Sequence, residues 1–233
     1  MAKTYYRRKP VWPFSKELIG FLSASREQTH SRALNTSLNQ SIIFYSACYV
    51  EGCLEAGLKS LLEHRQAVYN SFSIGDFETR RTTNRLFRSL REDVHARIAR
   101  ATGIGTFDEL FGLVIRQRLS EQTEVQEEWE AITVLFQFRN VLAHGREISA
   151  SRVYKHDEPT RDDFSGGYKK AEDYLLKKNF IDKRFLDGAD CECLFKDDIA
   201  DHFSEIARAF VTKISEGLEE KDREVYVKVL GLE

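Results

Sequence analysis

Arg139, Asn140 and His144 are the side chains in this sequence whose types and spacing best suit chemistry on a phosphate. They lie in Phe138-Arg139-Asn140-Val141-Leu142-Ala143-His144-Gly145, at the end of a run from Trp129 that otherwise reads as a core helix. Burying a guanidinium, an amide and an imidazole without partners is costly. Either the fold satisfies them for structural reasons, or they face a cleft or a second subunit. At about 100° per residue, Asn140 and His144 share one helix face, a turn apart. Arg139 precedes His144 by five residues and stands about 140° away around the axis. Two such side chains flank a groove rather than meet as a pair. Arginine grips phosphate with a rigid fork and a permanent charge. Histidine can take or give a proton near neutral pH. With no carboxylate cluster beside them, they suggest phosphate chemistry without a metal. The plainer alternative is that Arg139 and His144 cap the last carbonyls of their own helix, where cations are favoured.

Other elements must hold that helix in place. Ser31 to about Arg65 reads as one long helix, apolar nearly all round its middle turns at Ile42, Ile43, Phe44, Tyr45, Tyr49, Val50, Leu54, Leu58, Leu61 and Leu62. Such a helix belongs at the centre of a core. Glu51 and Glu55 interrupt it. Glu55 is placed for an ordinary i, i+4 pair with Lys59. Glu51 reads as a glutamate at the rim of the core or, alternatively, as the buried counterion that holds the Arg139 fork.

Residues 15–26 read as a short helix, and Pro10 and Pro13 argue against an earlier start. Residues 66–79 read as a loop. A helix is expected from about Thr82 to Ala101, with Leu86, Leu90, Val94 and Ile98 inward. Arg81, Arg85 and Arg88 share one face of it with His95, the best local candidate for an RNA backbone groove. A solvated face, diluted by Glu92 and Asp93, would look the same. After Gly103-Ile104-Gly105, Thr106 and Glu109 have the pattern of a capping box. The motif helix is expected from about Val125 towards Leu142, with Gly145 as its stop. Residues 146–190 are the least regular part, with a helix from Tyr168 to Phe180. Cys193 to Leu218 carries Ile199, Phe203, Ile206, Phe210, Ile214 and Leu218 at helical spacing and is amphipathic. Val225 to Leu230 alternates like a strand and would need a pairing partner.

These elements predict an all-α fold in one domain over residues 1–233. It is a helical bundle with an arm at 1–14 and a decorating insertion at 146–190, between the motif helix and the C-terminal helices. The arm interleaves Lys3, Arg7, Arg8 and Lys9 with Tyr5, Tyr6 and Trp12, which could dock a nucleic acid. Its other reading is a frayed terminus whose aromatics pack on the body. The formal net charge is −2 over 233 residues, so no global basic field attracts nucleic acid and any RNA site is a local patch. No run reaches transmembrane length and no apolar signal core follows the basic start, so the expected setting is cytoplasmic, with no membrane partner.

At Arg139-Asn140 and His144-Gly145 the sequence resembles HEPN domains, a superfamily of helical nucleotide-binding and ribonuclease modules. Their signature is an arginine, a polar residue, a short spacer and a histidine. Here four residues separate Arg139 from His144. The helix plan fits as well, from the apolar, Glu-bearing early helix to the final amphipathic one. The resemblance implies an HEPN-like bundle and metal-independent endoribonuclease activity. In that activity the ribose 2′-hydroxyl attacks the adjacent phosphate and leaves a 2′,3′-cyclic end. It implies a homodimer, RNA as substrate, no cofactor, and the toxin and phage-defence branches, with an antitoxin or defence partner. Carried onto this chain, His144 would be base or acid, Arg139 would hold the scissile phosphate, and Asn140 would orient the phosphate or the imidazole. Some HEPN toxins have a tyrosine two residues after the histidine, where an antitoxin modifies it. Here that position is Arg146, which argues against that route. The alternative is a non-catalytic HEPN module that binds RNA, nucleotide or a partner protein, and a purely structural helical interaction protein is a third.

Other chemistry is less well supported. Cys191 and Cys193 with Cys48 and Cys53 do not have the spacing of a zinc site, and no metal ligands are assigned. His64, His95, His156 and His202 stand apart from obvious partners and are expected on surfaces. No Gly-rich phosphate loop or nucleophile elbow is present.

Overall fold

A computed structural model describes residues 12–71, 77–144, 150–155, 158–164, 169–181 and 191–232. The arm residues 1–11, Gly145, Arg146 and His156 lie outside them. The described residues form an all-α bundle of eight helices: α1 (Trp12–Glu27), α2 (Arg32–Ser71), α3 (Phe77–Ile98), α4 (Ile104–Ile115), α5 (Gln126–His144), α6 (Lys169–Lys177), α7 (Asp197–Glu216) and α8 (Glu220–Leu230). Within the insertion, β1 (Ala150–Lys155) and β2 (Glu158–Phe164) pair as one antiparallel hairpin. Among the described residues no helix is long and apolar enough to cross a membrane.

The 40-residue α2 spans about 60 Å and is the axis of the bundle. Ile42, Ile43, Val50, Leu54, Leu58 and Leu61 are fully buried along it. Helices α1, α5, α7 and α8 pack on it, as do α3 and α4. From α5 come Ile132, Leu135 and Phe138, and from α7 come Ile199, Phe203, Phe210 and Ile214. Phe138 meets Phe195 and Phe203 edge to face, with ring centroids 5.9 and 5.6 Å apart. One polar network binds the start of the bundle. Nη2 of Arg26 on α1 donates to both Asp201 oxygens at 2.8 Å, and Asn39 on α2 donates to the Phe195 carbonyl and the Asp197 carboxylate at 2.9 and 2.7 Å.

Several elements differ from the sequence reading. Helix α1 begins at Trp12, with Pro13 in its first turn, where a missing N–H removes no helical bond. The loop at 66–79 is helix up to Ser71, and α3 already begins at Phe77. Helix α4 starts at Ile104 behind Gly103, so Thr106 sits inside the first turn and is not its cap. The earlier start buries Ile104 in the core. The expected C-terminal strand is helix α8. Asp222, Tyr226 and Leu230, four apart, form its buried face. A strand there would leave its backbone groups without a partner, whereas the helix satisfies them internally. His202 is not a free surface side chain either. Its Nε2 lies 2.5 Å from the Tyr174 hydroxyl, and its ring packs on Phe180 and Phe203.

Gly57 is the point where α8 reaches α2. A Cβ at Gly57 would come within 2.3 and 2.7 Å of ring atoms of the fully buried Tyr226. We expect Gly57→Ala to destabilise the fold by roughly 1–3 kcal/mol through overpacking. Thermal denaturation checks this, and an unchanged midpoint would mean that α8 does not dock through Tyr226.

Candidate functional site

Helix α5 delivers the motif. Glu127 and Glu128 in its first turn and His144 in its last complement the helix dipole. Ala131, Ile132, Val134, Leu135, Phe138 and Val141 bury one broad face. That burial fixes the rotation of the helix and brings Arg139 to the edge of the core beside α2.

The guanidinium of Arg139 is held from three sides. Its Nη2 donates to Glu51 Oε2 on α2 at 2.9 Å, in an ion pair whose side chains are 17% and 19% exposed. Its Nη1 donates to Asn140 Oδ1 at 3.1 Å and to the Thr102 carbonyl, just before α4, at 3.3 Å. Arginine has five N–H donors, so Nε–H and one Nη2–H remain. The Nε is buried without a partner among the described residues. Because arginine only donates, the Asn140 amide turns its oxygen to Arg139, which leaves its NH2 as a donor not used in that contact.

Of the two readings of Glu51, the counterion is the arrangement present. Burial raises its carboxyl above the ordinary glutamate range, while Arg139 pulls it back down. Cys48, one turn earlier on α2 and partly exposed, shares this environment. Burial and the Glu51 charge raise its thiol, and Arg139 lowers it. Sequence reasoning weighed Cys48 only as a metal ligand and missed the Thr102 carbonyl, which carries no side-chain signal. Among the described residues, no three His, Cys, Asp or Glu side chains gather where they could hold a metal ion.

His144 is exposed on the final turn of α5, one turn beyond Asn140. Arg139, Asn140 and Glu51 thus converge. The arginine face of α3 stands apart. Arg85 and Arg88 are exposed, and the side chain of Arg81 lies outside the described ones. Arg88 precedes Ile98 by ten residues, about 15 Å along the axis and away from Arg139. No protein-family model matches the chain, and comparison with curated proteins and with solved structures gave no significant match.

The ion pair can be tested by a double-mutant cycle of Glu51→Gln and Arg139→Gln on urea stability. Removing one partner of a largely desolvated pair strands the other, so a coupling of about 1–3 kcal/mol is expected. A coupling below roughly 0.3 kcal/mol, within the error of additivity, would mean that the two side chains act independently.

Proposed function

We propose that this chain is a metal-independent endoribonuclease of HEPN type, acting as a toxin or defence effector. The observation that carries the reading is the convergence of Arg139, Asn140 and Glu51 at the end of α5, with an exposed His144 a turn further on. The remaining Nη2–H of Arg139 and the Asn140 amide would bind the scissile phosphate and oppose the charge that grows on it. His144 would take the proton from the ribose 2′-hydroxyl or give one to the leaving 5′-oxygen. Both roles are needed in one turnover. A second copy of the chain would bring the second histidine across a two-fold axis. Glu51 would hold the fork in register.

One observation favours a second reading. Three of the Arg139 donors are already committed within the chain, and its side chain is only 17% exposed. A module that binds RNA, nucleotide or a protein without cutting would tolerate so closed an arginine. Its binding would survive loss of His144.

The deciding experiment is cleavage of generic single-stranded RNA in excess EDTA. Wild type is expected to cut and leave 2′,3′-cyclic phosphate ends. His144→Ala should fall by about 100-fold or more while still binding RNA, the size expected for loss of a general acid or base. Equal cleavage by both proteins would remove His144 from the mechanism. Binding by both with cleavage by neither would establish the non-catalytic reading.

A further inference from the structure

Between α2 and α3 lies an open cleft of about 410 Å³, lined by Lys59, Glu63, Arg91, Glu92, His95 and Ala99. Its volume is in the range of small-molecule sites. The two helices run antiparallel here, since Arg91 donates to Gln66 at 2.8 Å while His95, further along α3, shares the cleft with the earlier α2 residues Lys59 and Glu63. The cleft lies close to Arg139. Ala99 on its wall is three residues from Thr102, whose carbonyl accepts from Arg139. Three residues span at most about 11 Å. On the other wall Lys59 bonds to Glu55, one turn from Glu51. Along α2, however, Glu63 lies twelve residues from Glu51, about 18 Å, so a base held at Glu63 would be about five nucleotides from a phosphate on Arg139 at the stacked rise of about 3.4 Å.

The lining does not suit another phosphate. Lys59 and Arg91 are balanced by Glu63 and Glu92. Burial lowers His95 below its ordinary range, Lys59 and Arg91 add to this, and Glu63 opposes it. A phosphate offers only acceptors, which the two carboxylates repel. The edge of a nucleobase offers donors and acceptors together. Guanine fits best. Its adjacent N1–H and N2–H2 groups donate to a carboxylate, and its O6 and N7 accept from an arginine fork. The imidazole offers a ring face for stacking of an unpaired base.

We propose that this cleft is a guanine-reading subsite for single-stranded RNA, in which Glu63 accepts from the Watson–Crick edge and Arg91 donates to O6 and N7. The proposal rests on the reading of Arg139 as the phosphate grip and adds a base preference about five nucleotides from the cut.

The test is fluorescence anisotropy of the full chain with labelled 2′-O-methyl hexanucleotides: oligo-U, and the same strand with a single G, A or C. These probes lack the nucleophile and report binding alone. The G strand is expected to bind about tenfold tighter than the others. Glu63→Gln, and separately Arg91→Lys (which keeps the charge and loses the fork), should bring that preference within about twofold by weakening the G strand. Circular dichroism checks that both variants are folded. Equal affinity for the four strands, preference for another base, no binding at all, or a preference that survives both substitutions would overturn the proposal. Guanine preference without RNA cleavage would keep the subsite and sink the nuclease. Cleavage without any base preference would do the reverse.

Discussion

The structure depends on covering α2. A helix that is apolar on nearly every side has no stable life in water, and each of its buried Ile, Val and Leu side chains contributes about 1.5–3 kcal/mol once removed from solvent. That demand draws α1, α5, α7 and α8 around one axis. Burial alone does not choose how each helix is rotated or how far it slides. Those choices fall to close approaches and polar pairs at the margins. Gly57 admits the Tyr226 ring and sets the position of α8. Arg26 and Asn39 tie α1 and α2 to the start of α7. Lys213 on α7 meets the buried Glu128 on α5 at 2.8 Å. Each such pair adds little net stability, since desolvation offsets the attraction, but a wrong rotation would strand a charge.

Arg139 and Glu51 belong to the same class of contacts. Their placement follows from the apolar face of α5. Once Ile132, Leu135 and Phe138 are inward, Arg139 has to lie against α2 near Glu51. A counterion at that point turns a costly buried cation into a fixed one. A fixed guanidinium is what phosphate chemistry requires, because donors that are already oriented need no reorganisation when charge develops.

The helices with a clear 3.6-residue period were legible in the sequence. Helices α2, α5 and α7 came through with ends a few residues off, because fraying and capping are local while the core face is not. The C-terminal segment misled, because Val225, Val227 and Val229 alternate like a strand. The deciding signal was the weaker four-residue spacing of Asp222, Tyr226 and Leu230, which gains meaning only with Gly57 opposite. Arg139, Asn140 and His144 stood out because polar groups closing an apolar helix need a reason. Glu51 could be named but not assigned, since its partner is 88 residues away. The Thr102 carbonyl and the α2–α3 cleft were invisible. A backbone acceptor has no residue type, and a cleft between two helices is a property of their packing.

The closed state of Arg139 bears on how such a site would be used. Glu51, Asn140 and Thr102 satisfy three of its donors, so an incoming phosphate would meet a partly neutralised fork. A fully free guanidinium would bind anions indiscriminately through its charge. A fork with three of its donors occupied, one of them by a carboxylate, would reward only a ligand that reaches the remaining Nη2–H in the right geometry. Burial, which raises the Glu51 carboxyl, favours its neutral form against the pull of Arg139. A phosphate brought beside that carboxyl would add a like charge and push in the same direction. Substrate binding and protonation of Glu51 would then reinforce one another, and the counterion that holds the arginine at rest would yield part of its hold as the phosphate arrives.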